Sequence, residues 1–584
     1  MRSGKVIAIN GNMVTSTFEE KVIQNEVAYI VLNENLRLKA EVIRIHNEFC
    51  DMQVFEETNQ IKVGDSVEFS NELLSVVLGP GMLGTVFDGL QNPLYRLAEE
   101  TGFFLQRGKY IFPLDPDRVW KFAPSVNTGE TLKGGMEIGF VNEGIFDHKI
   151  FVPFNIKEKC KILHIAAKGD YKIKDRLAIL SNDSGKEYEI NMTQTWPVKI
   201  PIKTYKEKLL PDTPLMTGYR IIDTFFPIAR GGTFCIPGPF GAGKTVVQQT
   251  ISRNALVDIV VVAACGERAG EVVEVLREFP EIKDPRTGRS LMERTCIICN
   301  TSSMPVAARE ASVYTAVTIA EYYRQMGLNV LLLADSTSRW AQALREMSGR
   351  LEEIPGEEAF PAYLQSVISA FYERSGLVEL YDKKTGSVTI GGTVSPAGGN
   401  FEEPVTMSTL SVVGAFLGLS RQRSDARKYP AIDPLISWSK YQEQMEENLL
   451  KTRSRTWVKD ILKLHDLLFR GEEIYQQMMV VGEEGTAMND FIIYLKSYFL
   501  DSVFLQQDAY DDVDSFCSEE RQVKMLYVVK KFVDKDFTFK NKDEARAFFM
   551  KLIGTFSRWN TEPRESEEAR ELEVEINKML EGVL

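Results

Sequence analysis

The chain has 584 residues, 44% of them hydrophobic, and a formal net charge of −13 at pH 7. This length suffices for about three domains, and the net negative charge argues against a protein that mainly binds nucleic-acid phosphates. The absence of any run of about 18 apolar residues excludes a membrane-spanning helix, and seven scattered Cys residues indicate free thiols in a reducing compartment.

Residues 1–70 alternate apolar and polar side chains, most clearly over residues 36–42. Further short apolar runs lie at residues 6–9, 28–32, 52–55 and 67–69. Many short strands separated by turns predict a small antiparallel β-barrel. We find no catalytic constellation here, so we interpret this segment as an assembly domain.

Residues 111–189 are again β-rich and interrupted by glycine-containing turns, as at residues 133–135 and 141–144. We interpret this stretch as a β-rich domain inserted into a larger one. It contains His148 and His164, which have no Cys or His partner at metal-ligand spacing. Structural roles are therefore favoured over metal binding for both histidines.

From about residue 200 the pattern changes to strand, loop and helix. Residues 259–264 and 330–334 are continuous apolar runs, typical of parallel strands buried on both faces. Residues 305–324 have helical spacing and begin at a proline, which the start of a helix tolerates. This alternation predicts a doubly wound α/β core.

Within that core, residues 238–245 match the phosphate-binding pattern G-x-x-x-x-G-K-[ST] between a predicted strand and a predicted helix. The candidate nucleotide-binding residues are Gly238, Pro239, Phe240, Gly241, Ala242, Gly243, Lys244, Thr245 and Val246. In such a loop, backbone N–H groups and the helix N-terminus surround a phosphate. Lys244 is expected to reach the β- and γ-phosphates, and the Thr245 hydroxyl to hold Mg²⁺.

Two cysteines three positions apart, Cys296 and Cys299, allow two interpretations. The pair could form a redox motif or half of a zinc site. It could equally lie in a buried strand, because Ile297 and Ile298 separate the cysteines and no second Cys pair exists. We favour the buried strand.

From about residue 441 the chain is predicted to be helical. Apolar residues from Trp457 to Leu468 recur at intervals of three to four, which predicts an amphipathic helix. The predicted domains are therefore a barrel at 1–70, a P-loop core at 71–110 and 190–440, an inserted β-rich domain at 111–189 and a helical bundle at 441–584.

Hydrolysis of a nucleoside triphosphate also needs a metal-supporting acid, a group that orients water and a cationic group near the phosphate. Asp335 follows one buried strand directly and is suited to support Mg²⁺. Glu267 and Arg268 follow another, where Glu267 is suited to polarise water and Arg268 to stabilise charge. These residues alone leave open whether Glu267 and Arg268 are a surface ion pair.

Taken together, these segments resemble the catalytic A subunit of the V-type and A-type rotary ATPases, relatives of ATP synthase. The resemblance extends through nearly the whole chain and is dense in motifs. The matching stretches are residues 236–245, 334–340, 344–346, 348–353, 430–433 and 437–439.

The resemblance implies roles for particular residues. Lys244, Glu267 and Arg268 are implied as catalytic residues, and Asp335 as the metal-supporting acid, acting through water. Tyr429 and Tyr510 are implied on the two sides of an adenine pocket. The implied ligands are ATP or ADP with Mg²⁺.

The resemblance also implies an assembly. The chain is expected to alternate with a homologous non-catalytic nucleotide-binding subunit in a hexamer that contacts central and peripheral stalk subunits and reaches a membrane sector indirectly. We expect no nucleic-acid partner, and a cytoplasmic location on the inner face of the cell membrane through the complex.

Some positions depart from the family pattern. After Glu267 and Arg268, the chain has Ala269-Gly270-Glu271 where Gly-Asn-Glu is usual, and Ala242 stands where some relatives have Cys. Two other classes remain open: a non-catalytic nucleotide-binding subunit, and a ring ATPase that moves RNA or exports protein. The presence of Lys244, Thr245 and Glu267 disfavours the first, and the acidic charge disfavours an RNA translocase.

Overall fold

The computed structural model describes residues 2–34, 36–102, 106–285, 287–302 and 304–582. The chain divides into two compact units. The first comprises Met1–Leu210, Val257–Val394 and Pro404–Val412, and the second comprises Pro211–Leu256, Ser395–Glu403 and Val413–Leu584. Each unit is described by itself.

Strands and helices are numbered in chain order. The strands are β1 (Arg2–Asn10), β2 (Met13–Thr17), β3 (Glu26–Asn33), β4 (Leu36–Ile45), β5 (Phe49–Val54), β6 (Ser66–Leu73), β7 (Ser75–Leu78), β8 (Val86–Phe87), β9 (Val119–Pro124), β10 (Thr131–Leu132), β11 (Glu137–Asn142), β12 (Asp147–Phe151), β13 (Cys160–Ile165), β14 (Gly169–Lys172), β15 (Ala178–Asn182), β16 (Glu187–Ile190), β17 (Gln194–Pro197), β18 (Glu207–Leu209), β19 (Pro214–Leu215), β20 (Ile228–Ala229), β21 (Thr233–Pro237), β22 (Ile259–Glu267), β23 (Thr295–Thr301), β24 (Asn329–Asp335), β25 (Gly376–Glu379), β26 (Thr385–Val394), β27 (Ala415–Phe416) and β28 (Trp438–Ser439). The helices are α1 (Leu94–Thr101), α2 (Arg220–Phe225), α3 (Lys244–Asn254), α4 (Ala269–Glu281), α5 (Val306–Arg324), α6 (Thr337–Arg350), α7 (Leu364–Tyr372), α8 (Pro404–Leu410), α9 (Arg421–Asp425), α10 (Tyr441–Gln444), α11 (Glu446–Thr452), α12 (Trp457–Val481), α13 (Met488–Leu500), α14 (Glu519–Asp534), α15 (Lys542–Thr561) and α16 (Glu567–Glu581).

The first unit begins with a closed antiparallel barrel in the order β1-β2-β5-β4-β3-β6. Its interior is filled by alternate apolar side chains, among them Val14, Ile30 and Val67, all at most 1% exposed. Period-two alternation places one face of each strand inside, which is why the barrel was predictable. Strand β2 was not anticipated, because Met13–Thr17 has one apolar pair followed by small polar residues.

Strands β9 to β16 form two antiparallel four-stranded sheets, β10-β13-β15-β16 and β12-β11-β9-β14. The predicted β-rich character is confirmed. His148 in β12 is fully buried, and its Nδ1 and Nε2 lie 2.5 Å from a Glu143 carboxylate oxygen and 2.8 Å from the Tyr322 hydroxyl. These partners agree with a structural role for His148.

The first unit also contains a parallel sheet in the order β26-β24-β22-β23-β8, with β25 antiparallel to β26. The strands predicted at 259–264 and 330–334 are confirmed as β22 and β24, and Cys296 and Cys299 are buried in β23. Helix α5 contacts β22, β23 and β24 with buried alanine and β-branched side chains. Two-sided burial explains the continuous apolar runs.

In the second unit, β21 runs parallel to β27, and β28 is antiparallel to β27. The helices after residue 440 form the predicted bundle, with Phe499, Phe532 and Phe556 stacked edge to face or tilted in its core. Three of these helices begin at a side-chain cap. The capping residues, each accepting from a backbone N–H three residues on, are Ser518, Asn541 and Ser566.

The predicted fold class is confirmed: a barrel, an α/β core with a β-rich insertion, and a helical bundle. The exact domain boundaries stay predictions. Within the parts of the chain that the structure describes, no helix has the length and hydropathy needed to cross a bilayer.

Candidate functional site

The phosphate loop connects β21 to α3 in the second unit. Gly241 and Gly243 have φ angles of +80° and +86°, a region that residues with a side chain rarely adopt. Gly238 is required for another reason, since a Cβ there would lie 2.6 Å from Cβ of Leu419. The loop therefore brings its backbone N–H groups to the start of a helix, where an anion is favoured.

Lys244 is the first residue of α3, and its side chain bends over the loop. Its ammonium donates to the carbonyl oxygens of Gly238 at 2.7 Å and Pro239 at 3.1 Å. Thr245 follows and is partly exposed, whereas Phe240 at the tip is 78% exposed. The lysine charge is thus held at the loop itself.

A cavity of about 650 Å³ adjoins the phosphate loop within the second unit. The predicted site residues in its lining are Gly241, Ala242, Gly243, Val246, Tyr429 and Tyr510. Tyr429 is 46% exposed and Tyr510 is 84% exposed, so both rings are accessible. An apolar cavity flanked by two aromatic rings can accommodate a flat heteroaromatic ring.

The cavity also has walls that the sequence did not indicate. Ser557, Asn560 and Thr561, all from α15, line it. Asn560 donates to the carbonyl oxygen of Val503 at 2.8 Å and is 6% exposed. These residues have no motif, and only the packing of α15 could have located them.

In the first unit, Glu267 and Asp335 lie at the carboxyl ends of the adjacent parallel strands β22 and β24. The register pairs Ala264 with Asp335, so Glu267 extends three residues further along its strand. The Asp335 carboxylate accepts a hydrogen bond from the Thr393 hydroxyl at 2.5 Å. Sequence reasoning missed Thr393, which orients this carboxylate from the neighbouring strand β26.

Gly266, just before Glu267, allows a close approach by Arg309. Its φ angle is +82°, and a Cβ there would lie 2.6 Å from Cδ of Arg309. The Arg309 guanidinium donates to the carbonyl oxygen of Ser302 at 3.1 Å, and burial lowers the pKa of this arginine. Arg309 therefore supports the end of β22, another role that no motif signalled.

Arg268 is exposed at the start of α4, and Glu271 lies one turn further on. Burial, together with the hydrogen bond and negative charge of Glu267, raises the pKa of Glu271. The two carboxyl groups therefore lie close together at this sheet edge.

The structure thus gathers the predicted residues into two sets. The phosphate loop and both tyrosines share one cavity in the second unit, and Glu267, Arg268 and Asp335 share one sheet edge in the first. Among the side chains described, no group of three or more His, Cys, Asp or Glu has the arrangement of a metal centre.

Four protein-family models match the chain. They are the β-barrel domain of the ATP synthase alpha/beta family (residues 6–71), the ATPsynthase alpha/beta subunit barrel-sandwich domain (111–199), the nucleotide-binding domain of the ATP synthase alpha/beta family (218–439) and the C-terminal domain of V and A type ATP synthase (451–545). Together these models follow the order of the observed domains.

Similar curated proteins have almost the same length. The V-type ATP synthase alpha chain of Borrelia hermsii is 58% identical over 577 residues, covering 99% of this chain and 98% of the relative. Alpha chain 1 of Treponema pallidum is 58% identical over 579 residues, covering 99% and 96%. The alpha chain of Treponema denticola is 59% identical over 575 residues, covering 98% and 96%.

A solved structure of similar fold is the assembled ATPase EscN from the type III secretion system of enteropathogenic E. coli. It aligns with a TM-score of 0.61 and 20% identity, covering 90% of this chain and 100% of that one. At this identity the likeness concerns the fold alone.

Proposed function

The chain belongs to the V-type ATP synthase alpha chains of the ATP synthase alpha/beta family, and from this premise we propose which of its residues bind and turn over the nucleotide. As a family member it is a nucleotide-binding catalytic subunit of a rotary ATPase. It hydrolyses or synthesises ATP in a multisubunit complex that couples this reaction to ion transport across a membrane.

We assign phosphate binding to residues 238–245. The left-handed Gly241 and Gly243 expose the N–H groups of the loop, and the Lys244 ammonium is already held there by two carbonyl oxygens. A triphosphate offers stronger acceptors than these carbonyls, because its oxygens carry full negative charges that attract the lysine ammonium. Lys244 then moves from the loop carbonyls to the β- and γ-phosphates.

We assign base binding to the cavity beside the loop. Val246 lies at its phosphate end, and Tyr429 and Tyr510 offer aromatic faces. Adenine can stack against such faces, and the apolar cavity then shields the adenine ring from water. The single observation that carries the proposed site is that phosphate loop and tyrosines line one cavity.

We propose two oxygen donors for a magnesium ion, each judged within its own unit. Thr245 of the second unit offers a hydroxyl, and Asp335 of the first offers a carboxylate that Thr393 orients; oxygen donors of this kind are what Mg²⁺ prefers. When bound, the ion would neutralise negative charge on the phosphate oxygens. We propose that Asp335 holds it through a water molecule.

We assign water activation to Glu267. Its carboxylate accepts a hydrogen bond from the attacking water, whose oxygen bonds to the γ-phosphorus while the bond to the ADP oxygen breaks. Arg268 stabilises charge on the γ-phosphate oxygens. In synthesis the same groups act in reverse.

We further propose the surroundings of the chain. It alternates with a homologous non-catalytic nucleotide-binding subunit, contacts central and peripheral stalk subunits, and reaches the inner face of the cell membrane through the complex. The subunits that co-purify with the chain test this assignment, because a rotor and a membrane sector must be among them.

Calorimetric titration of the full-length chain with MgATP tests the nucleotide site. Tyr429→Ala should weaken binding by about tenfold, the loss expected for one base–aromatic stacking contact. Tyr527→Ala, which removes an exposed tyrosine on α14, is the matched control and should leave affinity unchanged. Equal affinities of wild-type and Tyr429→Ala chains would contradict the base assignment.

A further inference from the structure

Two chain segments in the second unit form facing walls of the base cavity. Residues 427–431 contribute Tyr429, and residues 502–510 contribute Gln506 and Tyr510. The segments touch directly, since the backbone N–H of Gln507 donates to the carbonyl oxygen of Tyr429 at 2.8 Å. Whatever holds these segments together therefore shapes the cavity.

One buried carboxylate, Asp501, is bonded to the first segment and directly precedes the second. It is 6% exposed, and its two oxygens accept from the Arg423 guanidinium and the Lys428 ammonium, each at 2.8 Å. Lys428 directly precedes Tyr429, and Asp501 directly precedes Ser502 of the cavity lining. The carboxylate therefore links the two segments at the residues that immediately precede Tyr429 and Ser502.

This carboxylate remains charged although it is buried. Burial raises the pKa of Asp501, but the charges of Arg423 and Lys428 lower it further, so the pKa lies below its usual value. Charge-assisted hydrogen bonds of this kind are the strong ones in a protein interior. Removing either cation leaves the buried Asp501 carboxylate less fully compensated, which is costly.

The first segment needs such a tether, because its backbone is strained. Arg427 has a φ angle of +56°, unfavourable by about 1 kcal/mol for a residue with a side chain. The Ser424 hydroxyl donates to the carbonyl oxygen of Gly241 and shares a hydrogen bond with the Tyr429 hydroxyl, and both contacts are long at 3.4 Å. The ion pairs of Asp501 are shorter and better buried.

We propose that Asp501 is a positioning residue for the nucleotide base, which holds the Tyr429 segment against the Gln507 segment before the nucleotide binds. This inference rests on the proposed nucleotide site. A preformed cavity lowers the free-energy cost of ordering the two segments when the nucleotide binds. Without the Asp501 ion pairs, binding must again include that cost. The Asp501 carboxylate contacts Arg423 and Lys428, which both lie outside the phosphate loop, so its removal should weaken base binding more than phosphate binding.

The experiment compares two probes on the full-length chain by calorimetry. MgATP reports on base and phosphate contacts together, and magnesium tripolyphosphate, which lacks a base, reports on phosphate contacts alone. Asp501→Asn keeps the side-chain shape but removes the charge. We expect the Kd for MgATP to rise by ~10-fold or more while the Kd for tripolyphosphate changes less than twofold.

Asp534 supplies the matched control. It also bridges two cations, Lys463 at 2.7 Å and Lys530 at 2.8 Å, but unlike Asp501 it is not adjacent in the chain to any residue that lines the cavity. Asp534→Asn should leave both Kd values unchanged. If Asp501→Asn fails to fold, Lys428→Met answers the same question, because it keeps the Arg423–Asp501 pair and removes only the tether next to Tyr429.

Two results would overturn the inference: an unchanged Kd for MgATP in the Asp501 and Lys428 variants, or an equal loss of affinity for both probes. Failure of the underlying site looks different. In that case the wild-type chain binds neither probe, or Tyr429→Ala leaves the MgATP Kd unaltered.

Discussion

At the scale of single residues, Lys244 supplies the charge of the phosphate loop. Lys244→Ala should abolish turnover and sharply weaken MgATP binding, because the lysine ammonium no longer offsets the negative charge of the β- and γ-phosphates. Steady-state ATPase activity of the assembled complex measures the effect. Activity that survived the substitution would show that the phosphate loop is wrongly assigned.

Glu267 should separate chemistry from binding. Glu267→Gln keeps the shape but loses the charge that polarises water, so hydrolysis should fall by roughly 10²-fold or more. Nucleotide affinity should stay within a few-fold. Glu274→Gln, at an exposed position of the following helix α4, is the matched control and should be fully active. Joint loss of binding and turnover in Glu267→Gln would indicate a structural role.

The residues of the proposed site differ in how far the sequence could indicate them. The phosphate loop, Glu267 and Asp335 stand in motifs or directly after apolar strands, because local chain geometry decides their positions. Thr393 and Arg309 support the acid-bearing strand ends from elements distant in sequence. Their partners are set by the sheet order and by the close approach at Gly266, which one sequence does not contain.

At the scale of elements, a charged cluster joins the barrel strand β4 to the helix α5 of the core. Lys199 lies 2.9 Å from Glu41 and 3.7 Å from Glu310, and both carboxylates are nearly fully buried. Burial and the charge of Glu41 raise the pKa of Glu310 from 4.5 to about 7, although Lys199 lowers it. The cluster therefore holds one negative charge in excess only at a pH high enough to ionise Glu310.

This cluster predicts a pH dependence of stability. Between pH 4.5 and 7 the folded state retains a proton on Glu310 that the unfolded state has lost, so the contribution of this group falls as the pH rises. Glu310→Gln removes the free-energy cost of ionising this buried carboxyl group. It should raise the Tm by a few degrees at pH 8 and change it little at pH 5.

Thermal unfolding at the two pH values measures this difference. Glu379→Gln, which alters a partly exposed carboxylate paired with Lys206 at 2.8 Å, is the control and should not raise the Tm at pH 8. The same Tm change for Glu310→Gln at both pH values would refute the cluster as its cause.

The structure of β23 favours the buried-strand interpretation of its two cysteines over a redox motif or half of a zinc site. Cys296 and Cys299 are buried in it at 0% and 3% exposure, and burial raises the pKa of Cys299 to about 12. Neither thiol should react with a labelling reagent until the protein unfolds, and the purified chain should contain no stoichiometric zinc. One zinc ion per chain by metal analysis would restore the alternative.

Strands and helices were predictable from the sequence where burial produces a regular spacing of apolar residues. Two-sided burial marked β22 and β24, and alternation marked most of the barrel. Strand β2 escaped because its side chains are small and polar, although Ser16 is fully buried opposite Cys50. Burial of a polar residue depends on its partner, and only the closed barrel provides that partner.

At the scale of the whole molecule, we predict that the isolated chain is a poor ATPase. A second arginine at the transferred phosphate, supplied in trans, is typically worth ~10³–10⁵ in rate. We expect this arginine on the neighbouring non-catalytic subunit. Turnover should be measured for the chain alone, with that subunit, and with the subunit's interface arginine replaced by alanine. Full activity of the chain alone would refute dependence on assembly.

The base cavity bears on how interchangeable the parts of this chain are. Its lining combines the phosphate loop with Ser557, Asn560 and Thr561 of helix α15. The loop lies within the match to the nucleotide-binding domain, whereas these three residues lie beyond the match to the C-terminal domain. A chimaera that joins the first 440 residues to the C-terminal region of a distant relative would therefore inherit an intact loop and a mismatched pocket. The nucleotide-binding region and the C-terminal helices match separate family models, but they form one ligand pocket. Substitutions in one region must therefore remain compatible with the other.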